Sequence, residues 1–430
     1  MSIGPYLKSR PWSTWFGYLL FVAMLATGYY YNLTFIQLGL YDLGTRRVGM
    51  SKPEVAQMMA YLALVTCLVA LLVGYLMMKR GWSRQFTTKL RLAFSVVVLQ
   101  TVLTLVAVQV HTPNSFLGWI LIASLALGVG VPVTFSLTVD LVPRRGRGYA
   151  GALVTALAYF AAEIFSTEWV FEVFRERLLW VMLPGTLGLG LLAFIRHPWL
   201  EALASQHVRP EFGYGRFVRR ASTGRYHVRR RLVGLVILMF GIYFVDSLGF
   251  LRLLETPIYM NTAWQSPDAN IRLFIAGVHV VGALIAGVLY TSLGERQLFL
   301  WIFGVFALTH LQYTFHVRLN LGDQAPLAMP MLYALAVSLY TVVNFAIWAD
   351  VSTADTISWN AALGVALSGW TATFFSTALS IQWEAGGMPL LRHLNIVDAL
   401  AMLFFVGLLV LSLFPEAKPA AQKMVGRGVD

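Results

Sequence analysis

Residues 140–153, DLVPRRGRGYAGAL, and residues 350–363, DVSTADTISWNAAL, follow one pattern in two distant parts of the chain. Each stretch begins with an aspartate, Asp140 or Asp350, at the end of a long apolar run. Each ends in Ala-Leu at the start of the next apolar run, with an aromatic residue, Tyr149 or Trp359, in between. A membrane chain whose second half repeats its first is typical of an internal duplication that produces two related helical bundles.

A pair of glycines also recurs at nearly the same offset. Gly74 and Gly81 stand at the end of the second apolar run, and Gly287 and Gly294 stand at the end of the eighth. Glycine lets neighbouring helices approach closely, and it permits tight turns at helix ends. We therefore expect Gly74 and Gly287 at helix contacts, and Gly81 and Gly294 in turns.

The composition excludes a water-soluble protein. Of the 430 residues, 58% are hydrophobic and only 12% are charged, and the mean hydropathy is +0.68, whereas soluble proteins carry about 25% charged residues. The net charge of +12 does not indicate nucleic-acid binding, because the basic residues lie between apolar runs, where they set the orientation in a membrane. Cys67 is the only cysteine, so the chain has no internal disulfide.

Metal and cofactor sites are not expected. The chain has 15 methionines, which raises the possibility of a copper site, but pairs such as Met58 and Met59 are adjacent and point apart on a helix. Methionine as a filler of the core is the better interpretation.

Twelve apolar runs are long enough to cross a membrane as helices, which takes about 20 residues. Their cores are residues 15–38, 54–77, 90–110, 116–139, 148–170, 178–196, 232–254, 270–292, 298–317, 328–349, 358–382 and 394–414. Most Lys and Arg between these runs fall on the side that holds both chain ends, so the positive-inside rule predicts cytoplasmic termini. The first run is too long for the apolar part of a signal peptide, about 7–15 residues, and we expect an integral multi-pass protein of the plasma (inner) membrane.

The sequence therefore predicts an all-α membrane protein with twelve transmembrane helices in two pseudo-symmetric six-helix bundles. The expected parts are an N-terminal bundle over residues 1–196, a cytoplasmic basic linker over 197–230, a C-terminal bundle over 231–416 and a cytoplasmic tail over 417–430. The linker region is rich in arginine: Arg209, Arg216, Arg219, Arg220, Arg225, Arg229, Arg230 and Arg231. Either these arginines only fix the topology, or they bind anionic lipid together with the interleaved aromatic residues Phe212, Tyr214, Phe217 and Tyr226.

Six helices, a basic linker and six more helices resemble the major facilitator superfamily. That family has a motif between its second and third helices: Gly, three residues, Asp, a basic residue, one residue, Gly, and further basic residues. The matching residues here are Gly74, Lys79, Arg80, Gly81 and Arg84, and Met78 occupies the acidic position. The second copy, with Gly287 and Gly294, also lacks the acid.

The resemblance implies a latch on the cytoplasmic side, which the acidic residue forms in the family. Asp140 with Arg144, Arg145 and Arg147, and Asp350 in the other half, would supply a substitute. The alternative is that these residues are ordinary interfacial charges. The antiporter signature of the fifth helix, a Gly-Pro pair amid glycines, is absent from residues 150–170.

Three of the ionisable residues within apolar runs are site candidates, because a charge there costs at least about 2.5–3.5 kcal/mol. Asp246 stands near the middle of the seventh helix, and the resemblance implies that the first, fourth, seventh and tenth helices line a central cavity. A carboxyl there would take up a proton in a symporter, or else make a structural polar contact. Glu163 on the fifth helix and His279 on the eighth would form a relay, or else serve helix packing.

Polar and aromatic side chains on the first and tenth helices add five cavity candidates. They are Asn32 and Gln37 on the first helix and Tyr340, Asn344 and Trp348 on the tenth. A tyrosine belt at the outer interface is the alternative for the first helix. Arg252 and Glu255, three residues apart, predict an ion pair at the outer rim.

These features predict a secondary transporter of a small organic solute that works by alternating access, either uncoupled or coupled to a proton or another cation. The alternative is a protein of the same fold that serves pigment or metal-cofactor assembly without transport. The sequence contains no phosphate loop, zinc helix or nucleophile elbow, so we expect no enzyme. The expected partners are the solute, the coupling cation and anionic lipid at the linker, and we expect a monomer.

Overall fold

The computed structural model describes residues 12–165, 169–218, 225–319 and 325–413. These residues form twelve long helices, a few short helical turns and one isolated β-bridge. The parts of the predicted linker at 219–224 and the predicted tail at 417–430 lie outside the described residues.

The helices are numbered in chain order. They are α1 Trp12–Arg47, α2 Lys52–Lys79, α3 Phe86–Val106, α4 Pro113–Leu141, α5 Arg147–Phe165, α6 Phe171–Phe194, α7 Arg225–Leu254, α8 Ala269–Ser292, α9 Glu295–Leu319, α10 Ala328–Asp350, α11 Ile357–Ala385 and α12 Leu390–Leu413. Within the described residues, eleven of them are long and apolar enough to cross a membrane; α5 is the exception.

Local sequence signals set several helix ends. Ser51 and Glu54 form a reciprocal capping box at the start of α2, and Thr112 with Ser115 does the same at α4. In both helices a proline occupies the first turn, where its missing N–H costs nothing. After α2 the chain turns at Gly81, which has φ +70° and so requires glycine.

The first helix differs in extent from its expected span. α1 continues nine residues past position 38, to Arg47, and its last turns carry Asp42 and Arg46 as an ion pair of 2.9 Å. Charged residues of this kind end an apolar run without ending the helix. α1 contains π-helical turns over Tyr31–Gly39, and α11 contains them over Ala362–Trp370.

The two halves repeat one packing pattern. In the first half α1 packs on α5, α2 on α4 and α3 on α6; in the second, α7 packs on α11, α8 on α10 and α9 on α12. The halves meet where α2 packs on α11 and where α5 packs on α8. Because α8 is the counterpart of α2 and α11 is the counterpart of α5, the two contacts are related by the pseudo-symmetry. The described residues thus form two pseudo-symmetric six-helix bundles, as the duplicated sequence predicted.

The molecule has two polar faces. The linker face carries the turns after α2, α4, α8 and α10, together with linker residues 195–218. The distal face carries the turns after α1, α3, α7 and α11. Large apolar side chains such as Leu68, Leu187 and Leu403 are exposed on the outside between these faces, which is the arrangement expected where lipid is the solvent.

Candidate functional site: a cavity between the two bundles

A cavity of about 1250 Å³ lies between the bundles and draws its walls from both halves. Its walls include seven of the eight residues that the sequence predicted for substrate or ion coupling: Asn32, Gln37, Glu163, Asp246, His279, Tyr340 and Asn344. Asn32 and Gln37 belong to the π-helical part of α1, and single π turns are frequent at functional sites. Lining residues such as Thr45 and Glu255 show that the cavity extends toward the distal face.

Asp246 on α7 is held by two tyrosines of α10. Tyr333 donates a hydrogen bond of 2.5 Å to Oδ1, and Tyr340 donates one of 2.8 Å to Oδ2. Each carboxylate oxygen therefore has one hydroxyl donor and keeps capacity for a second. The two bonds fix the orientation of the carboxyl group on the cavity wall.

A second polar cluster joins the halves at the same level of the cavity. The hydroxyls of Tyr29 on α1 and Tyr159 on α5 are 2.7 Å apart, and Tyr159 lies 3.4 Å from the hydroxyl of Thr341 on α10. The ring of Tyr159 stacks on His279 of α8, with centroids 4.3 Å apart. His279 Nδ1 lies 3.0 Å from the Ser338 hydroxyl.

Glu163 is buried on α5, one turn beyond Tyr159, and interacts electrostatically with Arg272 of α8. The proposed relay between Glu163 and His279 has no direct hydrogen bond among the described contacts; His279 is bonded to Ser338 instead. Asn344 uses its side-chain oxygen to accept from the indole of Trp348 at 2.9 Å.

Trp348 does not line the cavity. It is fully buried one turn closer to the linker face, where its ring covers Gly364 of α11 so closely that a Cβ there would lie 2.1 Å away. The helical spacing from Tyr340 was correct, but at this depth the ring packs against α11 of its own bundle and not into the cavity.

The linker side of the cavity is closed by helix contacts at the duplicated glycines. A Cβ at Gly74 would lie 2.8 Å from the carbonyl oxygen of Ser358 on α11. A Cβ at Gly287 would lie 2.9 Å from the Cβ of Ala152 on α5. Both glycines serve contacts between the bundles, in corresponding positions. Gly294, in contrast to Gly81, is not among the glycines with positive φ.

A buried ion pair crosses the same closure. Arg147 of α5 donates to Asp350 of α10 at 2.8 Å, and both side chains are 0% exposed. Arg147 also donates to the carbonyl oxygens of Ala349 and Phe212, and Tyr290 of α8 donates to Asp350 at 2.7 Å. The duplicated aspartate of the second half therefore binds an arginine of the first half.

The duplicated aspartate of the first half has different partners. Asp140 is buried and pairs with Lys89 of α3 within its own bundle, and its Oδ1 lies 3.1 Å from Nδ1 of His207 in the linker. The expected grouping of Asp140 with Arg144 is not found, because Arg144 is exposed on the linker face. Lys89 is a site residue that the sequence motifs did not indicate.

The linker is attached to the second bundle by backbone hydrogen bonds. Tyr214 and Thr353 form the isolated β-bridge, and the N–H of Phe217 donates to the carbonyl of Asp350 at 2.8 Å. Arg216 donates to the carbonyls of Tyr290 and Leu293, and Phe212 is buried. Linker residues 207–217 are here named the strap. The strap contacts Asp140 through His207 and Asp350 through Phe217.

The remaining motif residues lie at the surface of the linker face. Arg84 pairs with Asp355 across the bundles, and both are about half exposed. Lys79 lies over the ring of Tyr75 and Arg80 over that of Trp82, in cation–π contacts within α2 and the following turn.

The distal face carries a partly exposed ion cluster between the halves, here named the distal cluster. Lys52 of α2 lies 3.6 Å from Glu255 and 3.8 Å from Glu384. Arg252 pairs with Glu255 at 3.3 Å, as its spacing predicted, and lies 3.9 Å from Glu384. Burial and the neighbouring Glu384 carboxylate raise the pKa of Glu255 above its usual range.

We expect acidification to favour the distal contact seen here. If the distal ends separate, Glu255 becomes hydrated and its pKa returns toward the ordinary value; the contacting state therefore binds the proton more tightly. Spin labels at Asn114 and Ala385, both exposed on this face, would report a shorter mean distance as pH falls through the raised pKa of Glu255. Glu255→Gln should give the short distance at all pH values, and a pH response that survives this substitution would contradict the assignment.

Comparison with known proteins identifies solved structures that have a similar architecture. No family model matches the sequence, and no curated protein matches it. Among solved structures, the proton:xylose symporter XylE, bound to 6-bromo-6-deoxy-D-glucose, is similar with a TM-score of 0.63 at 14% identity, covering 94% of this chain and 96% of that chain.

The human organic anion transporter MFSD10 (TETRAN) is similar with a TM-score of 0.61 at 14% identity, covering 93% of this chain and 100% of that chain. The XylE structure is of a major facilitator superfamily protein, and the similarity shows that this chain has the same fold.

Proposed function

We propose that the chain is a secondary active transporter that carries a small organic solute by alternating access. The observation that carries the proposal is a large cavity between two pseudo-symmetric bundles, lined from both halves and bounded on the linker face by interlocking contacts. In a two-bundle transporter the bundles rock about such a site and expose it to each side in turn.

The contacts between the bundles on the linker face are more extensive than those on the distal face, which suits this mechanism. The linker-face closure is buried and consists of glycine contacts, the Arg147–Asp350 pair and the strap. The distal cluster consists of partly exposed ion pairs over a cavity that extends toward it. The described conformation thus represents a state whose site is nearer to the distal side.

Solute flux tests the proposal directly. Purified protein in proteoliposomes would be assayed for uptake of D-xylose, organic anions and organic cations, with and without an imposed pH gradient. Uptake above that of protein-free vesicles supports the proposal. Absence of flux for every class, from protein that is folded and correctly inserted, would contradict it.

Coupling to protons would run through Asp246. An amide cannot take up a proton, so we expect Asp246→Asn to lower proton-driven accumulation by about tenfold or more while solute exchange continues. The measurement is uptake under a pH gradient compared with exchange at equal pH on both sides. Equal loss of both activities in well-expressed protein would contradict a role of Asp246 that is confined to proton coupling.

For orientation, we propose that the linker face is cytoplasmic in a plasma (inner) membrane, as the positive-inside rule predicts. Arg209, which is exposed at the linker, would contact anionic lipid headgroups there. We propose a monomer as the working unit, because the cavity lies within one chain.

A further inference from the structure

We propose that the solute is an organic cation with an aromatic or apolar body, and that Asp246 is its anionic anchor. This inference rests on the proposed function and names the substrate class of the same cavity. It is carried by the charge balance of the cavity wall, by the unpaired state of Asp246 and by the rings around it.

The charge of the cavity wall is opposite to that of the chain. The whole protein has a net charge of +12. Among the described residues that line the cavity, the acidic ones are Asp42, Glu163, Asp246 and Glu255, and the only Lys or Arg is Lys52. A surface of this sign attracts cations and repels anions.

Three of the four carboxylates already face a cation of the protein. Asp42 pairs with Arg46 at 2.9 Å, Glu255 pairs with Lys52 at 3.6 Å, and Glu163 interacts with Arg272. Asp246 is bound only by the hydroxyls of Tyr333 and Tyr340, and no described Lys or Arg is within ion-pair distance. An ionised carboxylate inside a membrane protein is stabilised by a positive partner, and here a ligand can provide it.

The walls beside Asp246 are aromatic. Tyr243 meets Tyr340 edge to face with centroids 5.3 Å apart, and Phe250 stacks on Tyr333 at 5.6 Å. Further rings lining the cavity are Tyr29, Tyr159, Trp169, Trp264, Phe345, Trp370 and Phe374. Aromatic faces attract an organic cation and pack against its apolar body.

The size of the cavity fits a bulky ligand. Its volume of about 1250 Å³ exceeds the usual range for small-molecule sites, which is about 300–1,000 Å³. An organic anion would place like charge beside Asp246. A single fixed carboxylate in an aromatic chamber therefore favours a drug-sized cation over an anion of the same shape.

Two ions of equal shape and opposite charge test the inference. Tetraphenylphosphonium and tetraphenylborate would be titrated into the detergent-purified full chain, with binding measured by equilibrium dialysis. We expect the phosphonium to bind at least about tenfold more tightly than the borate, because Asp246 attracts one and repels the other. Equal affinity, or tighter binding of the borate, would overturn the inference.

Variants locate the effect. Asp246→Asn should remove most of the preference for the phosphonium, and Asp246→Glu, which keeps the charge, should retain it. Asp355→Asn, at an exposed carboxylate on the linker face, is the matched control and should behave as the parent protein. If Asp246→Asn does not fold, the preference of the parent protein for the phosphonium over the borate still tests the cation site. A folded Asp246→Asn that keeps this preference would refute the role of Asp246.

The binding experiment and the transport experiment can refute the cation site and the transport function independently of each other. Tetraphenylphosphonium crosses bilayers unaided, so flux is measured with benzyltrimethylammonium in proteoliposomes. Phosphonium preference without flux of any solute would support the cation site and refute the transport function. Flux of D-xylose or of an organic anion, without phosphonium preference, would support transport and refute the cation site.

Discussion

Arg147→Ala is expected to open the linker face. Its side chain and that of Asp350 are fully buried and paired at 2.8 Å between the bundles. Removal of one partner of a buried pair costs about 3–5 kcal/mol, because the other charge is left uncompensated. The variant also loses the hydrogen bond to Ala349, which joins α5 to the second bundle, and the one to Phe212, which joins α5 to the strap.

This cost falls on the closed state alone. Once the linker face opens, Asp350 is hydrated and no longer needs its partner. A change of about 3–5 kcal/mol is comparable to the roughly 5.5 kcal/mol that inverts a 1:99 equilibrium. We therefore expect the population with a separated linker face to rise by more than about a hundredfold relative to the closed population.

The measurement uses spin labels at Thr87 and Ser292, which are exposed on the linker face in different bundles. Arg84→Ala is the matched control, because Arg84 pairs with Asp355 across the same interface while both are about half exposed. An exposed pair contributes at most about 1 kcal/mol. Distance distributions that shift equally in both variants would refute the assignment of the buried pair as the main electrostatic closure.

Gly74→Val should prevent closure by a steric mechanism. The Cβ of any larger residue would lie 2.8 Å from the carbonyl oxygen of Ser358 and 2.8 Å from the Cβ of Ala362. The first contact is with backbone, which cannot rotate away, so α2 and α11 must separate. Overpacking of this kind costs about 1–3 kcal/mol, and valine adds its branched methyl groups to the same contact. We expect a graded effect in which Gly74→Ala is milder.

Gly118→Val provides the control, since a Cβ there meets nothing within 4 Å and the residue is exposed on α4. Both substitutions place valine in a helix, so the difference between them isolates the interface. The assay is solute flux together with the Thr87–Ser292 distance. Normal flux in Gly74→Val would show that this contact does not form during the transport cycle.

The sequence predicted the fold because its strongest signals are physical requirements of a membrane. Long apolar runs have to become helices, and the repeat around Asp140 and Asp350 has to place two related turns on one face. The glycines at 74 and 287 were predicted at helix contacts and are found there. Which helices they bring together was not predictable, because sequence spacing carries no information on the neighbour across a bundle interface.

The cavity was predictable in part. Asp246 stood out because a carboxyl in an apolar run requires a reason, and it lines the cavity. Tyr333 was missed, although its spacing of seven residues from Tyr340 places both on one face of α10. Trp348 satisfies the same spacing and is nevertheless buried, since depth along a helix decides whether a face meets a cavity or another helix.

The duplicated aspartates illustrate what sequence similarity between halves leaves open. Asp140 binds Lys89 of its own bundle, and Asp350 binds Arg147 of the other. The two aspartates occupy corresponding positions in the halves, yet one contact lies inside a bundle and the other lies between bundles. Only the positions of the partners in space distinguish the two cases.

The partly exposed distal cluster and the buried Arg147–Asp350 pair will respond differently to ionic strength. Dissolved salt screens charges that it can surround, with a Debye length of about 8 Å at physiological concentration, and it hardly reaches a pair without solvent contact. Added salt therefore weakens the attraction of Lys52 for its carboxylates and leaves the Arg147–Asp350 pair nearly unchanged. The resting orientation of such a protein would follow the salinity of the compartment that its distal side faces.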